Sequence, residues 1–215
     1  MRRLRMGMTR DGPGAFIGPI HRIAAELDRE IELVAGVFSS DPDRSRVAGE
    51  SYRIEPTRAY GSLEAMFGAE RSRDDGIDFV AVVSPDHHHL PAVRAAQGVG
   101  LPVMSDKTMT ATWDEAQELA GLVAGAGLPY GLTYTYSGYP LVREMKARIA
   151  AGALGAIRKV VVEAFANLYR DFAALLRGDA APLLPGIEDG LRGMAFIHTA
   201  VNASRDRAGW TRFQP

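Results

Sequence analysis

No cysteine occurs anywhere in the chain, which excludes disulfides, thiolate metal ligands and cysteine nucleophiles. Excess charge is missing too: 25 lysines and arginines stand against 26 aspartates and glutamates, with the signs interspersed. There is therefore no basic stripe for nucleic acid and no polybasic patch for an anionic membrane surface. Nor is there an apolar run of signal or spanning length. The basic start Met1-Arg2-Arg3-Leu4-Arg5 meets Gly12, Pro13 and Gly14 within a few residues. These absences point to a cytoplasmic protein with no nucleic-acid or membrane partner, whose ligand is a small molecule. The remaining composition, 47% hydrophobic and 24% charged, is that of a globular protein, and 215 residues suit one domain plus a fragment.

Apolar runs alternate with amphipathic stretches over the first two thirds, the pattern of βαβ units. Leu4–Thr9 reads as a first strand, followed by a Gly/Pro turn and a helix over Ala15–Leu27. In that helix Phe16, Ile20, Ile23 and Leu27 share one face. Further strands are expected at Ile31–Phe38, Phe79–Val83, Leu101–Met104 and Tyr130–Thr133. Helices are expected after Asp41-Pro42, at Leu63–Glu70, at His89–Gln97 and from Thr112, where Glu115 completes a capping box. Residues 1–133 thus form a doubly wound dinucleotide-binding domain of Rossmann type. From 134 to 215 the pattern changes to a helix at Tyr139–Ala151, one strand at Ile157–Glu163, and helices at Ala164–Arg177 and Gly190–Ala203.

The motifs sit at the predicted strand ends. Arg10 to Gly18 reads RDGPGAFIG, and glycines there would let backbone N–H groups at a helix start approach a pyrophosphate. A plain Gly-Pro turn is the alternative. Ser39-Ser40-Asp41-Pro42-Asp43-Arg44 follows the second strand, where an acid would take the ribose hydroxyls of NAD. Small hydroxyls with Arg44 one turn on suit a 2′-phosphate better, which tilts the choice between NAD and NADP slightly towards NADP; Asp41 alone equally reads as a helix cap. Ser84-Pro85-Asp86-His87-His88-His89 ends the strand FVAVV. Neighbouring histidines in a turn diverge, so the segment reads as cofactor-bordering turn rather than metal site. Asp106-Lys107-Thr108 follows LPVMS, placing Lys107 where ligands bind in open α/β sheets, as substrate contact or as exposed loop lysine. Tyr136 and Tyr139, in a hydroxyl-rich stretch, suit a sugar-like substrate or a domain junction.

Together GPGAFIG (Gly12 to Gly18), ELVAGVFSSDPDRSR (Glu32 to Arg46), SPDHHH, DKTMT, YSGYPLVREMK and GALGAIRKV resemble the Gfo/Idh/MocA oxidoreductases, glucose–fructose oxidoreductase and inositol dehydrogenase among them. The resemblance implies an α/β fold, a Rossmann-type parallel sheet followed by a truncated α+β C-terminal domain. It implies hydride transfer between a nicotinamide cofactor and a sugar, polyol or similar secondary alcohol. Lys107 takes the place of the lysine in the family's E-K-P motif. Gly12, Gly14, Ala15, Phe16, Ile17, Ser39, Ser40, Arg44, Ser84, Pro85, His89 and Asp106 fall on the cofactor side, and Tyr136 and Tyr139 on the substrate side. A homo-oligomer is implied as well.

Three departures stand out. Arg10 occupies a usual glycine position, and the motif reads Asp106-Lys107-Thr108 without its proline. The third is that only 52 residues follow Glu163, with no Asp-x-x-x-His pair after Tyr139 to handle a substrate proton. A relative that binds dinucleotide or associates without turnover is the alternative. A lone strand at Ile157–Glu163 would leave an open sheet edge, and the C-terminal helices would expose apolar faces.

Overall fold

Among the described residues of the computed structural model every strand pairing is parallel, and six strands lie in the order β3-β2-β1-β4-β5-β6. The strands are β1 (Leu4–Thr9), β2 (Ile31–Val37), β3 (Ala59–Tyr60), β4 (Phe79–Val82), β5 (Val103–Ser105) and β6 (Tyr130–Leu132). Residues 2–9, 16–152, 166–180 and 184–205 are described. The order reverses between β1 and β4, so a crevice opens at the carboxyl ends of the strands there.

Alternation along the strands feeds both faces of the sheet. Phe79 and Ala81 of β4 point to one side with Met6 and Met8, while Val80 and Val82 point to the other with Val103. Strands buried on both faces read as continuous apolar runs, which is why FVAVV stands out in the sequence. The first face is covered by α1 (Ile17–Glu26), α2 (Pro42–Ser51) and α7 (Ala166–Leu176); the second by α3 (Leu63–Arg71), α4 (His89–Gly98), α5 (Trp113–Ala126) and α8 (Ile187–Arg205). Helix starts follow local chemistry. Asp41 caps α2 by accepting from the N–H groups of Asp43 and Arg44, with Pro42 inside the first turn. Thr112 and Glu115 form the expected capping box on α5, and Gly127 ends that helix at φ 64°.

Two expectations need correction. The apolar stripe of α1 faces outward: Phe16, Ile23 and Leu27 are 78%, 66% and 61% exposed. The buried face is His21 with Gly18, Ala24 and Ala25, and the last three are small enough to let the helix lie close to the sheet. The second, that the C-terminal helices expose apolar faces, needs correction only for α7, since Leu141, ahead of it in the chain, and Phe196, Ile197 and Val201 of α8 are exposed. In α7, Leu168, Tyr169, Phe172 and Ala173 are fully buried against Met6, Phe79 and Met104. Gly131 of β6 makes room for that approach, since a Cβ there would sit 2.6 Å from Met104 Sδ and 3.0 Å from Phe172 Cδ2. In α8, Met194 joins the opposite core, and Trp113 and His198 meet at 5.9 Å between ring centroids. The helix α6 (Pro140–Ala150) buries no residue, and its Arg143 pairs with Asp171 of α7. The strand expected at Ile157–Glu163 lies outside the described residues. Among those described, no helix is long and apolar enough to cross a membrane.

Candidate functional site

The crevice at the strand ends holds a cleft of about 840 Å³. The tip of β2 contributes Phe38, Ser39 and Ser40; that of β4, Val83 to Asp86; that of β5, Asp106, Lys107 and Thr108; and α1 contributes Ile17. Segments far apart in sequence thus converge because parallel strands end on one side. Of the residues singled out in the sequence, Ile17, Ser39, Ser40, Ser84, Pro85, Asp106 and Lys107 line this one cavity. Gly12, Gly14, Ala15 and Arg10 lie outside the described residues. The start of α1 carries no side-chain cap from Phe16, and Phe16 itself, strongly exposed, is not among the lining residues.

A second cavity of about 250 Å³ adjoins the first through Ser40 and Ser84, with Thr9, Ser62, Glu64 and His88 in its walls. The buried hydroxyls of Thr9 and Ser84 find no hydrogen-bond partner among the described residues. Buried hydroxyls without a partner are costly, so two of them at the mouth of adjoining cavities suit a polar ligand.

At the β2 tip the acid is already engaged. Asp41 Oδ1 accepts from Asp43 N at 2.9 Å and from Arg44 N at 3.0 Å, while Ser39 Oγ accepts from Asp41 N at 3.1 Å. Ser39 and Ser40 therefore face the cleft, and Arg44 stands exposed on the first turn of α2.

At the β5 tip Lys107 is exposed and Asp106 is nearly buried. Burial pushes the Asp106 carboxyl up, but hydrogen bonds from His21, Thr133 and the Lys107 backbone outweigh it and hold the group below the ordinary carboxylate range. The Lys107–Thr108 peptide bond is cis. His89, expected on the cofactor side, is fully buried between the carbonyls of Thr108 and Ser84 and is not among the residues lining the cleft. Tyr136 is 60% exposed on a 3-10 turn (Thr135–Gly138), Tyr139 follows it half-buried, and neither lines the cleft.

Sequence reasoning missed His21 and Thr133, which hold Asp106 from α1 and from the end of β6. A histidine in the middle of a helix gives no local signal of a partner 85 residues away. The second cavity was missed as well, because its wall joins Thr9 at the end of β1 to Ser62 and Glu64, which follow the two-residue β3.

The Gfo/Idh/MocA family, described as an oxidoreductase family with an NAD-binding Rossmann fold, matches residues 12–134. An uncharacterized oxidoreductase of Bacillus subtilis is 34% identical over 73% of this chain and 40% of its own length. The crystal structure of an inositol dehydrogenase homolog from Azotobacter vinelandii, complexed with NADH and myo-inositol, is 38% identical with a TM-score of 0.68. It is matched over 73% of this chain and 41% of that one. An oxidoreductase from Sinorhizobium meliloti, 22% identical, shares the fold at a TM-score of 0.90 over 99% of this chain and 100% of its own. The chain spans only about two fifths of the curated relative's length.

Proposed function

The chain belongs to the Gfo/Idh/MocA oxidoreductase family, and from that premise we propose that its cleft binds a nicotinamide dinucleotide and serves hydride transfer with a sugar, polyol or similar secondary alcohol. The observation that carries this reading is the convergence of Ser39, Ser84, Asp106 and Lys107 on one cleft at the strand-order reversal. The orphaned hydroxyls of Thr9 and Ser84 fit a polar ligand spanning both cavities. A bound nicotinamide supplies the hydride chemistry; everything else falls to this chain's residues.

Ser39 and Ser40 would face the adenosine ribose. Because Asp41 is spent on capping, Arg44 is left to meet a 2′-phosphate, which leans the site towards NADP. Lys107 would donate to the substrate oxygen and stabilise negative charge on it. His89 would set the loop on which Lys107 stands. Tyr136 and Tyr139 lie on the segment leading away from β6, where a substrate would extend. The boundary near residue 133 divides the cofactor domain from a remnant that packs back onto it. Self-association is part of the same proposal, since Leu141, Ile197 and Val201 are exposed; sedimentation of the purified chain tests it.

A second reading is dinucleotide binding without turnover. One experiment separates the two. NADH and NADPH are titrated by fluorescence, and a panel of polyols and sugars is then assayed with the tighter cofactor. Binding with turnover supports the oxidoreductase; binding alone leaves the second reading; no binding overturns both.

A further inference from the structure

Asp106 sits at the floor of the cleft with a buried chain of side chains behind it. Thr133 Oγ1 donates to Asp106 Oδ1 at 2.6 Å, and His21 Nε2 lies 3.5 Å from the same oxygen. His21 Nδ1 meets the phenol of Tyr169, whose ring stands edge-on to the imidazole at 5.5 Å between centroids. His21, Tyr169 and Thr133 are fully buried, whereas Asp106 alone opens on the cleft. The chain therefore runs from α7 through α1 to the carboxyl ends of β5 and β6.

Burial, and then the charge of Asp106, push the Tyr169 phenol well above its ordinary value, so it keeps its proton, and with His21 protonated on Nε2 that proton is donated to Nδ1. The proton on His21 Nε2 is then directed at Asp106. In that tautomer the Tyr169, His21 and Thr133 protons all lie on the side of the carboxylate, which is what a fixed anion needs in a poorly solvated place.

We propose that Tyr169 and His21 are positioning residues that fix the Asp106 carboxylate as an anion beside the nicotinamide end of the cleft. That anion tightens binding of the oxidised cofactor relative to the reduced one. The inference rests on the reading of the cleft as a dinucleotide site. The oxidised nicotinamide ring carries a positive charge and the reduced ring carries none. A buried negative charge nearby therefore attracts only the oxidised form, and does so more strongly than it could in water. Tyr169 belongs to α7, so this C-terminal helix contributes to the chemistry of the cofactor site as well as to the core.

The test uses the full chain and measures Kd for NAD+ and NADH, and for NADP+ and NADPH, in the wild type, Asp106→Asn, Tyr169→Phe, His21→Ala and His21→Gln. The readout is the ratio of reduced to oxidised Kd, which a merely structural role would not move. Asp106→Asn is expected to lower that ratio about tenfold, the order expected for a nearby charge at partial burial. Tyr169→Phe keeps the ring and is expected to lower it about threefold; His21→Ala lowers it too, and His21→Gln, which retains an N–H donor, restores part of it. An unchanged ratio in Asp106→Asn and Tyr169→Phe, with both cofactors still bound, overturns the inference and leaves the cofactor site standing. Failure of the wild type to bind any of the four overturns both. Should the variants not fold, the ¹⁵N shifts of His21 in the wild type decide: a bare Nδ1 with a protonated Nε2 supports the chain, and a protonated Nδ1 sinks it.

Discussion

His89 Nδ1 lies 2.7 Å from the carbonyl oxygen of Thr108, tying the start of α4 to the loop that carries Lys107. Its Nε2 lies 2.7 Å from the carbonyl of Ser84, so one buried ring spans the ends of β4 and β5. His89→Ala removes both contacts and opens a cavity. A stability loss of about 2–4 kcal/mol is expected by urea denaturation, together with weaker dinucleotide binding. Unchanged affinity in a folded His89→Ala protein would show that the loop holds its geometry without this ring.

The same residue shows what the sequence carried and what it hid. The HHH run marked the end of β4, and its position there was legible from the apolar strand before it. Which histidine turns inward was not, because that depends on the packing of α4 against β5. Most elements were readable from periodicity and caps: Asp41-Pro42 opens α2 and Thr112-Glu115 opens α5. Helix α1 misled, since its largest apolar residues face solvent and its small ones face the sheet. Close helix–sheet approach outweighs apolar area at that place. The site was legible wherever a residue stood at a strand tip, as with Ser39, Ser84 and Lys107. It was illegible where a partner arrived from another layer, as with His21.

Lys107 is the exposed cation at the β5 tip, and a donor there matters most as negative charge develops on the substrate oxygen. Lys107→Met should therefore leave dinucleotide affinity within about threefold while lowering kcat on any active polyol or sugar about a hundredfold or more. Fluorescence titration and steady-state rates check the two halves separately. Equal losses in binding and turnover would place the lysine on the cofactor instead.

Arg44 stands exposed on the first turn of α2, where its backbone N–H donates to Asp41 at 3.0 Å. Its guanidinium is expected to meet a 2′-phosphate as a paired charge. Arg44→Ala should weaken NADPH binding about tenfold and leave NADH within about twofold, a difference set by one charged hydrogen bond. Equal effects on the two cofactors would remove the basis for an NADP preference.

Asp78 joins the start of the chain to the loop before β4. Arg2 Nη2 lies 2.6 Å from Oδ1, and the Arg5 backbone N–H donates to Oδ2 at 2.7 Å. Burial pushes the carboxyl up, but the Arg2 hydrogen bond, the Arg5 N–H and both positive charges bring it below the ordinary aspartate value. A folded-state value lower than the unfolded one contributes stability that is fully present above pH 3.8 and lost as pH falls through the folded value. Asp78→Asn should lower stability at neutral pH and flatten the acid limb below about pH 4. Urea midpoints measured down that range decide the matter, and parallel acid limbs for the two proteins would rule the ion pair out.

Phe172 brings α7 into the core of the cofactor domain, meeting Phe79 of β4 edge-on at 5.3 Å between ring centroids. Arg177 and Glu30 pair beside it, and Arg170 Nε lies 2.8 Å from Asp28, so the helix is tied to the turn before β2. If α7 is integral to the Rossmann core, Phe172→Ala should destabilise the whole domain by about 3–5 kcal/mol, the usual range for a fully buried phenylalanine. Unfolding should stay a single transition, followed equally by the fluorescence of Trp113 in a Trp210→Phe background and by far-ultraviolet circular dichroism. A helix that merely rested on the sheet would behave otherwise. It would melt first as a separate step, with the Trp113 signal unchanged until the second. Because the same helix bears Tyr169, any such early step would also release the Asp106 chain, and cofactor affinity would fall with it before the sheet unfolds.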